Sequence, residues 1–197
     1  MISAIVLAAG ESRRLGVCKQ LARIGGKELL GHALDALRAS MVDDVVVVLG
    51  AHAAEIRSRV HFDRERVVLN PRYAAGMSTS LHAGLGAIDA EAALIVLADQ
   101  PFVSPRTIDR LIDEYRRSRA LVVIPTCNGV RGNPVLVDRA LFAEMMEIRG
   151  DTGCRAIFGE HAESIVEVAV DDRGVITDID TEEDLARAAA SGGGRPR

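Results

Sequence analysis

The chain has 197 residues, 48% hydrophobic and 26% charged, which fits one soluble globular domain with a full core. Its net charge of -4 and 3% aromatic content argue against a generic nucleic-acid binder, which needs a basic face or stacking platforms. Cys18, Cys127 and Cys154 are odd in number and form no CxxC pair, so neither a disulfide framework nor a structural zinc site is expected; a reducing, cytoplasmic compartment is.

The chain opens on an apolar run, residues 1–9, with no basic region before it. It is far short of the roughly 18 residues that a membrane span needs, so it reads as a buried strand over 4–8, and no membrane association is expected. A polar loop follows, with Gly10 and Gly16 near its ends and Ser12, Arg13, Arg14 and Lys19 along it. Leu29, Leu30, Ala33, Leu34 and Leu37 keep helical spacing. Further strands are expected over 45–49, 67–69, 94–97 and 121–124. Each is almost wholly apolar, the mark of strands covered on both faces of a parallel sheet. Gly76, Ser78 and Ser80 open a helix, and Ser104-Pro105 opens another with an N-cap and a proline at its first position. Ile108, Leu111, Ile112 and Tyr115 form that second helix's apolar stripe.

Residues 135–137 and 164–168 read as further strands, and 175–179 as an antiparallel one. Thr181 and Asp184 resemble a capping box ahead of a last helix, with Asp in place of Glu or Gln. This alternation predicts an α/β, single-domain, doubly wound and mostly parallel sheet, a Rossmann variant. The domain is expected over 1–190, with a disordered tail over 191–197.

In an open α/β sheet, ligands bind beyond the carboxyl ends of the strands. There Gly10 lets backbone approach a phosphate, successive N–H groups cup an anion, and Arg14 and Lys19 add charge-assisted bonds. A surface loop with incidental basic residues has about the same composition. The loop is neither a Walker P-loop nor GxGxxG. Asp99, in Leu97-Ala98-Asp99-Gln100-Pro101, follows a strand, where one carboxylate with triphosphate oxygens suits magnesium. Strand-end acids also serve as structural caps. The helix opened by Gly76 offers free N–H groups and hydroxyls to a base or phosphate, unless Ser78 only caps it.

Together these segments resemble the MobA-like nucleotidyltransferase family, a branch of the nucleotide-diphospho-sugar transferase fold. Leu7-Ala8-Ala9-Gly10-Glu11-Ser12-Arg13-Arg14-Leu15-Gly16 is similar to its opening motif, with Val17-Cys18 where the family commonly has Pro before the Lys. The blocks at 70–81, 97–101, 131–134, 150–155 and 178–185 follow in the family's order.

The resemblance implies that Leu7, Ala8, Ala9, Gly10, Ser12, Arg14, Lys19, Gly76, Ser78 and Ser80 bind nucleotide. It implies that Asp99 and Asp180 hold Mg2+, and that Arg14, Lys19 and Asp99 are catalytic. Gly132, Asn133, Pro134, Asp151 and Arg155 fall on the acceptor side. Ala9, the second alanine of LAAG, resembles the cytidylyl-transferring branch. That branch implies CTP and a molybdopterin-type acceptor as substrates, with a molybdenum hydroxylase as recipient of the product. Transfer to another phosphorylated acceptor stays open. So do an NAD(P)H-dependent oxidoreductase similar to nicotine blue oxidoreductase and a chaperone for molybdenum cofactor. The five histidines show no ligand pairing and carry no assigned role.

Overall fold

The structure is a computed structural model and describes residues 1–12 and 17–191. The apolar opening run forms β1 (Ile2–Ala8). A small hairpin, β2 (Arg23–Ile24) and β3 (Lys27–Glu28), leads into α1 (Leu29–Arg38). β4 (Asp44–Leu49), α2 (Ala53–Arg59), β5 (Arg66–Leu69), α3 (Met77–Leu85) and β6 (Ala92–Leu97) continue the alternation. α4 (Pro105–Ser118), β7 (Val122–Cys127), β8 (Val130–Arg131), β9 (Val135–Asp138), α5 (Phe142–Met145), β10 (Ile165–Ala169) and α6 (Glu182–Ser191) complete it.

The sheet order is β10-β7-β9-β6-β1-β4-β5, with β8 paired to β7. β1 lies between β4 and β6, parallel to both, in a register that sets Ile5 beside Val46 and Ile95. Its apolar run has no polar alternation because both faces are covered. Ala4, Val6 and Ala8 join the core layer that holds Leu30, Leu34 and Ile108, while Ile5 joins the layer with Leu81 and Leu85. Leu34 is fully buried, so trimming it to alanine costs about 2–5 kcal/mol.

β8 runs antiparallel to β7, and β9 runs antiparallel to both β6 and β7. Only Asn128 to Pro134 separate β9 from β7, too few residues for the crossover of about a dozen that a parallel return needs. The chain reverses instead at Asn128-Gly129, both at positive φ.

The antiparallel strand expected over 175–179 does not form. Arg173–Ile176 is a 3-10 turn, started where Asp172 Oδ1 accepts from Gly174 N at 2.9 Å. Val175 and Ile179 are buried as anchors of a loop, so their apolar character marked burial rather than a strand. Ile179 N donates to Asp99 O at 3.0 Å, which carries this loop across the end of β6.

The two expected caps are present. Ser104 Oγ accepts from Thr107 N at 3.2 Å ahead of α4. Ahead of α6, Thr181 N donates to Asp184 Oδ2 at 2.9 Å, and Asp184 N returns a bond to Thr181 Oγ1 at 3.1 Å. The last helix reaches Ser191; residues 192–197 of the expected tail lie outside the described residues. No helix among the described residues is long and apolar enough to cross a membrane.

Candidate active site

A cleft of about 550 Å³ opens beyond the carboxyl ends of β1 and β6. One wall is the end of β1, with Leu7, and the loop after it, which brings Ala9, Gly10, Ser12 and Lys19 to the cleft. Ala8 lies behind them, buried. Arg14 lies outside the described residues.

Ser12 organises the described part of this loop. It sits at φ 55, uncommon for a residue with a side chain. Its hydroxyl accepts from Lys19 N at 2.9 Å and donates to Gln20 Oε1 at 3.3 Å. Buried Gln20 donates through Nε2 to Ala8 O at 3.1 Å and Gly10 O at 3.3 Å. Gln20 therefore ties the far end of the loop back to the strand it left. Sequence reasoning gave it no role, because a glutamine after a lysine is ordinary surface composition; only its burial distinguishes it.

Lys19 stands at the centre of the charged wall. Its Nζ donates to Asp99 Oδ2 at 2.7 Å and to Asp180 Oδ1 at 2.6 Å. Burial alone would lower its pKa. The Asp99 charge and the bonds to both acids outweigh that and hold the ammonium above its ordinary lysine value. Asp99 is placed by the end of β6, and Asp180 by the cap of α6, where Asp180 N donates to Asp184 Oδ2 at 3.1 Å.

A third acid stands beside them. Asp178 Oδ1 accepts from Gln100 Nε2 at 2.7 Å. Burial, with the Asp99 charge adding to it, raises the Asp178 carboxyl above its ordinary range. Neither Gln100 nor Asp178 was assigned a site role from the sequence.

The cluster fits a divalent cation. Asp99 Oδ1 is buried and has no hydrogen-bond partner among the described residues. A buried acceptor left in that state costs about 1–3 kcal/mol, so it wants an electropositive neighbour. Oxygen ligands from one or two carboxylates are what magnesium takes beside a phosphate.

The second wall is built from the Tyr73 to Ser80 segment together with Asp151. Asn70 Nδ2 donates to Ser80 Oγ at 3.0 Å and to Thr79 Oγ1 at 2.8 Å, pinning the start of α3 to the end of β5. Gly76 sits at φ 108, where a Cβ would come within 2.4 Å of Gly150 O, so only glycine fits. The first N–H groups of α3 are not free, contrary to the expectation for this block. Met77 N donates to Asp151 Oδ1 at 3.3 Å and Ser78 N to Gly150 O at 3.1 Å. The loop at 150–151 closes over the helix start and accepts these two bonds. Ser78 is buried and faces a second hollow with Arg72 and His82, away from the cleft.

The expected acceptor residues separate into two groups. Arg155 donates to Gly132 O at 2.8 Å and Asn133 Oδ1 at 3.3 Å, next to the cis Asn133-Pro134 bond. Asn133 N donates to Val175 O at 2.8 Å, and Gln100 Nε2 reaches the same carbonyl at 3.3 Å. This group therefore adjoins the Asp178 side of the charged cluster. Asp151 lies in the other wall, and among the described residues no ion pair joins it to Arg155.

Residues 4–165 match the MobA-like NTP transferase domain. The chain is similar to nicotine blue oxidoreductase of Paenarthrobacter nicotinovorans, 29% identical, over 94% of this chain and 95% of that protein. It is also similar to the molybdenum cofactor cytidylyltransferase of Escherichia coli strain K12, 26% identical, over 95% of each. Among solved structures, Rv0371C of Mycobacterium tuberculosis H37Rv in complex with manganese superposes with a TM-score of 0.82. That protein is 29% identical over 96% of this chain and 98% of its own. The chain belongs to the MobA-like nucleotidyltransferase family.

Proposed function

We propose that this MobA-like family member transfers CMP from CTP to a molybdopterin-type acceptor and releases pyrophosphate. The observation that carries the reading is the Lys19 ammonium held between Asp99 and Asp180 while Asp99 Oδ1 stays buried without a partner among the described residues. The relative named as a cytidylyltransferase supports the choice of CTP, as does the alanine at position 9. The solved relative with manganese supports a divalent cation.

The acceptor's terminal phosphate oxygen attacks the α-phosphorus, and the bond to the β-phosphate bridging oxygen breaks in line with it. Asp99 and Asp180 would hold magnesium, which neutralises charge on the phosphate oxygens when bound. Lys19 offers its proton-bearing Nζ to the phosphates and to the departing pyrophosphate, a role that the motif resemblance gives Arg14 as well. Ser12 and Gln20 keep the loop in the shape that delivers Lys19. Ala9 and Gly10 leave room for the triphosphate, and Gly76 and Ser80 border the nucleoside. Asp151 on that wall is an acceptor for an exocyclic amino group, which cytosine has and uracil lacks. The Gly132, Asn133, Pro134 and Arg155 group is set to receive the acceptor. Positioning and electrostatics are the whole of the catalysis, so no nucleophilic side chain is required. In this reading the enzyme works in the cytoplasm and its dinucleotide product passes to a molybdenum hydroxylase.

A thermal-shift screen of nucleotides with Mg2+, followed by pyrophosphate release with CTP and molybdopterin, tests the reading. Selective stabilisation by CTP and acceptor-dependent release are expected. The likeness to nicotine blue oxidoreductase supports a second reading, NAD(P)H-dependent reduction. Stabilisation by NADPH with no response to any NTP would favour it and overturn the first.

A further inference from the structure

Cys18, His52 and Glu55 bring a thiol, an imidazole and a carboxylate together behind the nucleotide loop. Cys18 immediately precedes the 3-10 turn Lys19–Leu21. His52 is the residue ahead of α2, and Glu55 lies in that helix's first turn. One ligand atom from each lies within 4.8 Å of the other two. His52 Nδ1 is 3.9 Å from Glu55 Oε2, and Arg59 holds the other oxygen of the same carboxylate, Oε1, at 3.5 Å. The parallel pairing of β1 and β4 makes this meeting possible: their two outgoing loops run side by side, and Ala51 N donates to Ala9 O at 3.3 Å.

We infer that Cys18, His52 and Glu55 form a second cation site, of zinc type, distinct from the Asp99 cluster. The donor set carries the chemical argument. Thiolate and imidazole select zinc-like cations, whereas the all-oxygen Asp99 cluster suits magnesium or manganese. Zinc bonds of about 2.0–2.3 Å at tetrahedral angles set ligand atoms roughly 3.4–3.6 Å apart. The His52–Glu55 separation is already near that, and both side chains are partly exposed, so small rotations toward Cys18 complete the set. Three protein ligands leave a fourth position for water. On ligation the Cys18 thiol gives its proton to solvent and gives up its bond to Gln20 Oε1, now 3.3 Å long. The bound cation then fixes α2 to the loop that carries Lys19. Sequence reasoning left His52 unassigned because the thiol it meets, Cys18, lies on a different loop, far away along the chain.

The test is a titration of the full chain with Co2+ in excess Mg2+, which keeps the oxygen site filled by a hard cation. A thiolate-to-cobalt charge-transfer band is expected to saturate at one equivalent and to disappear when Zn2+ is added. Cys18→Ser is expected to abolish the band, and His52→Ala and Glu55→Gln each to weaken cobalt binding at least about tenfold. No such band in the native chain, or a band that persists in Cys18→Ser, would overturn the site. Should Cys18→Ser fail to fold, unchanged cobalt affinity in both His52→Ala and Glu55→Gln overturns it equally.

Discussion

Glu65 and Asp99 are acids that each face a basic side chain at a strand terminus, and they end in opposite states. The Glu65 side chain is 1% exposed, with Oε1 bonded to Arg38 Nε at 2.6 Å. Its Oε2 accepts from Arg38 at 3.0 Å and from Asp63 N at 2.7 Å. Both oxygens are satisfied, and burial, which alone would raise this carboxyl, is outweighed by Arg38, so it stays below its ordinary range. Asp99 bonds Lys19 through Oδ2 only, and its other oxygen is buried without a partner among the described residues. The closed pair holds structure. The open one keeps a strong acceptor in reserve, which is how a site differs physically from a brace built of the same residue types.

Lys19→Met should produce the largest effect. Transfer is expected to fall by about 10²–10³, measured as pyrophosphate release, because a preorganised donor to the phosphates is lost. Its ammonium pKa is raised in the folded chain, so its contribution to stability is full below the ordinary lysine value and fades as pH climbs through the folded one. The variant should lose that high-pH limb of the stability profile.

Glu65→Ala should do the reverse: cost about 3 kcal/mol in urea unfolding and leave kcat/KM unchanged. The Glu65 carboxyl is lowered on folding, so the native contribution is present above the ordinary carboxylate range and is lost as pH falls through the folded value. The variant's stability should therefore depend less on acid. A large loss of activity in Glu65→Ala would erase the distinction between the two clusters.

Asp151→Asn sharpens it from the second wall. Its bond from Met77 N is long at 3.3 Å, which leaves an acceptor for a base amino group. KM for CTP should rise roughly tenfold, about 1.4 kcal/mol, and preference for CTP over UTP should shrink. Equal discrimination in variant and native chain would return Asp151 to a structural role.

Much of the sheet was legible because strands covered on both faces leave uninterrupted apolar runs, as at 45–49 and 94–97. The caps at Ser104 and Thr181 were legible for the same local reason: a short polar side chain just ahead of an apolar stripe. Val175 and Ile179 misled, because burial under a loop and burial in a strand leave the same apolar trace. Helix α2 went unseen, since it buries only Ile56 and has almost no stripe to read. At the site, Lys19, Asp99 and Asp180 stood out by motif, and their convergence needed the fold. Gln20, Gln100 and Asp178 carried no local signal, because their roles depend on what they touch across the chain. The blocked start of α3 was hidden for that reason too: the groups that take its N–H bonds come from the loop at 150–151.

The most direct measurement is Mg2+-dependent pyrophosphate release by Asp99→Asn beside the native chain, with CTP and molybdopterin, paired with thermal unfolding of both. The swap keeps shape and removes the carboxylate charge. A fall of about 10²–10³ in transfer, with unfolding temperature unchanged or higher, is the predicted result. Full transfer by Asp99→Asn would contradict the account, because the acceptor held open beside Lys19 would then have no part in the reaction.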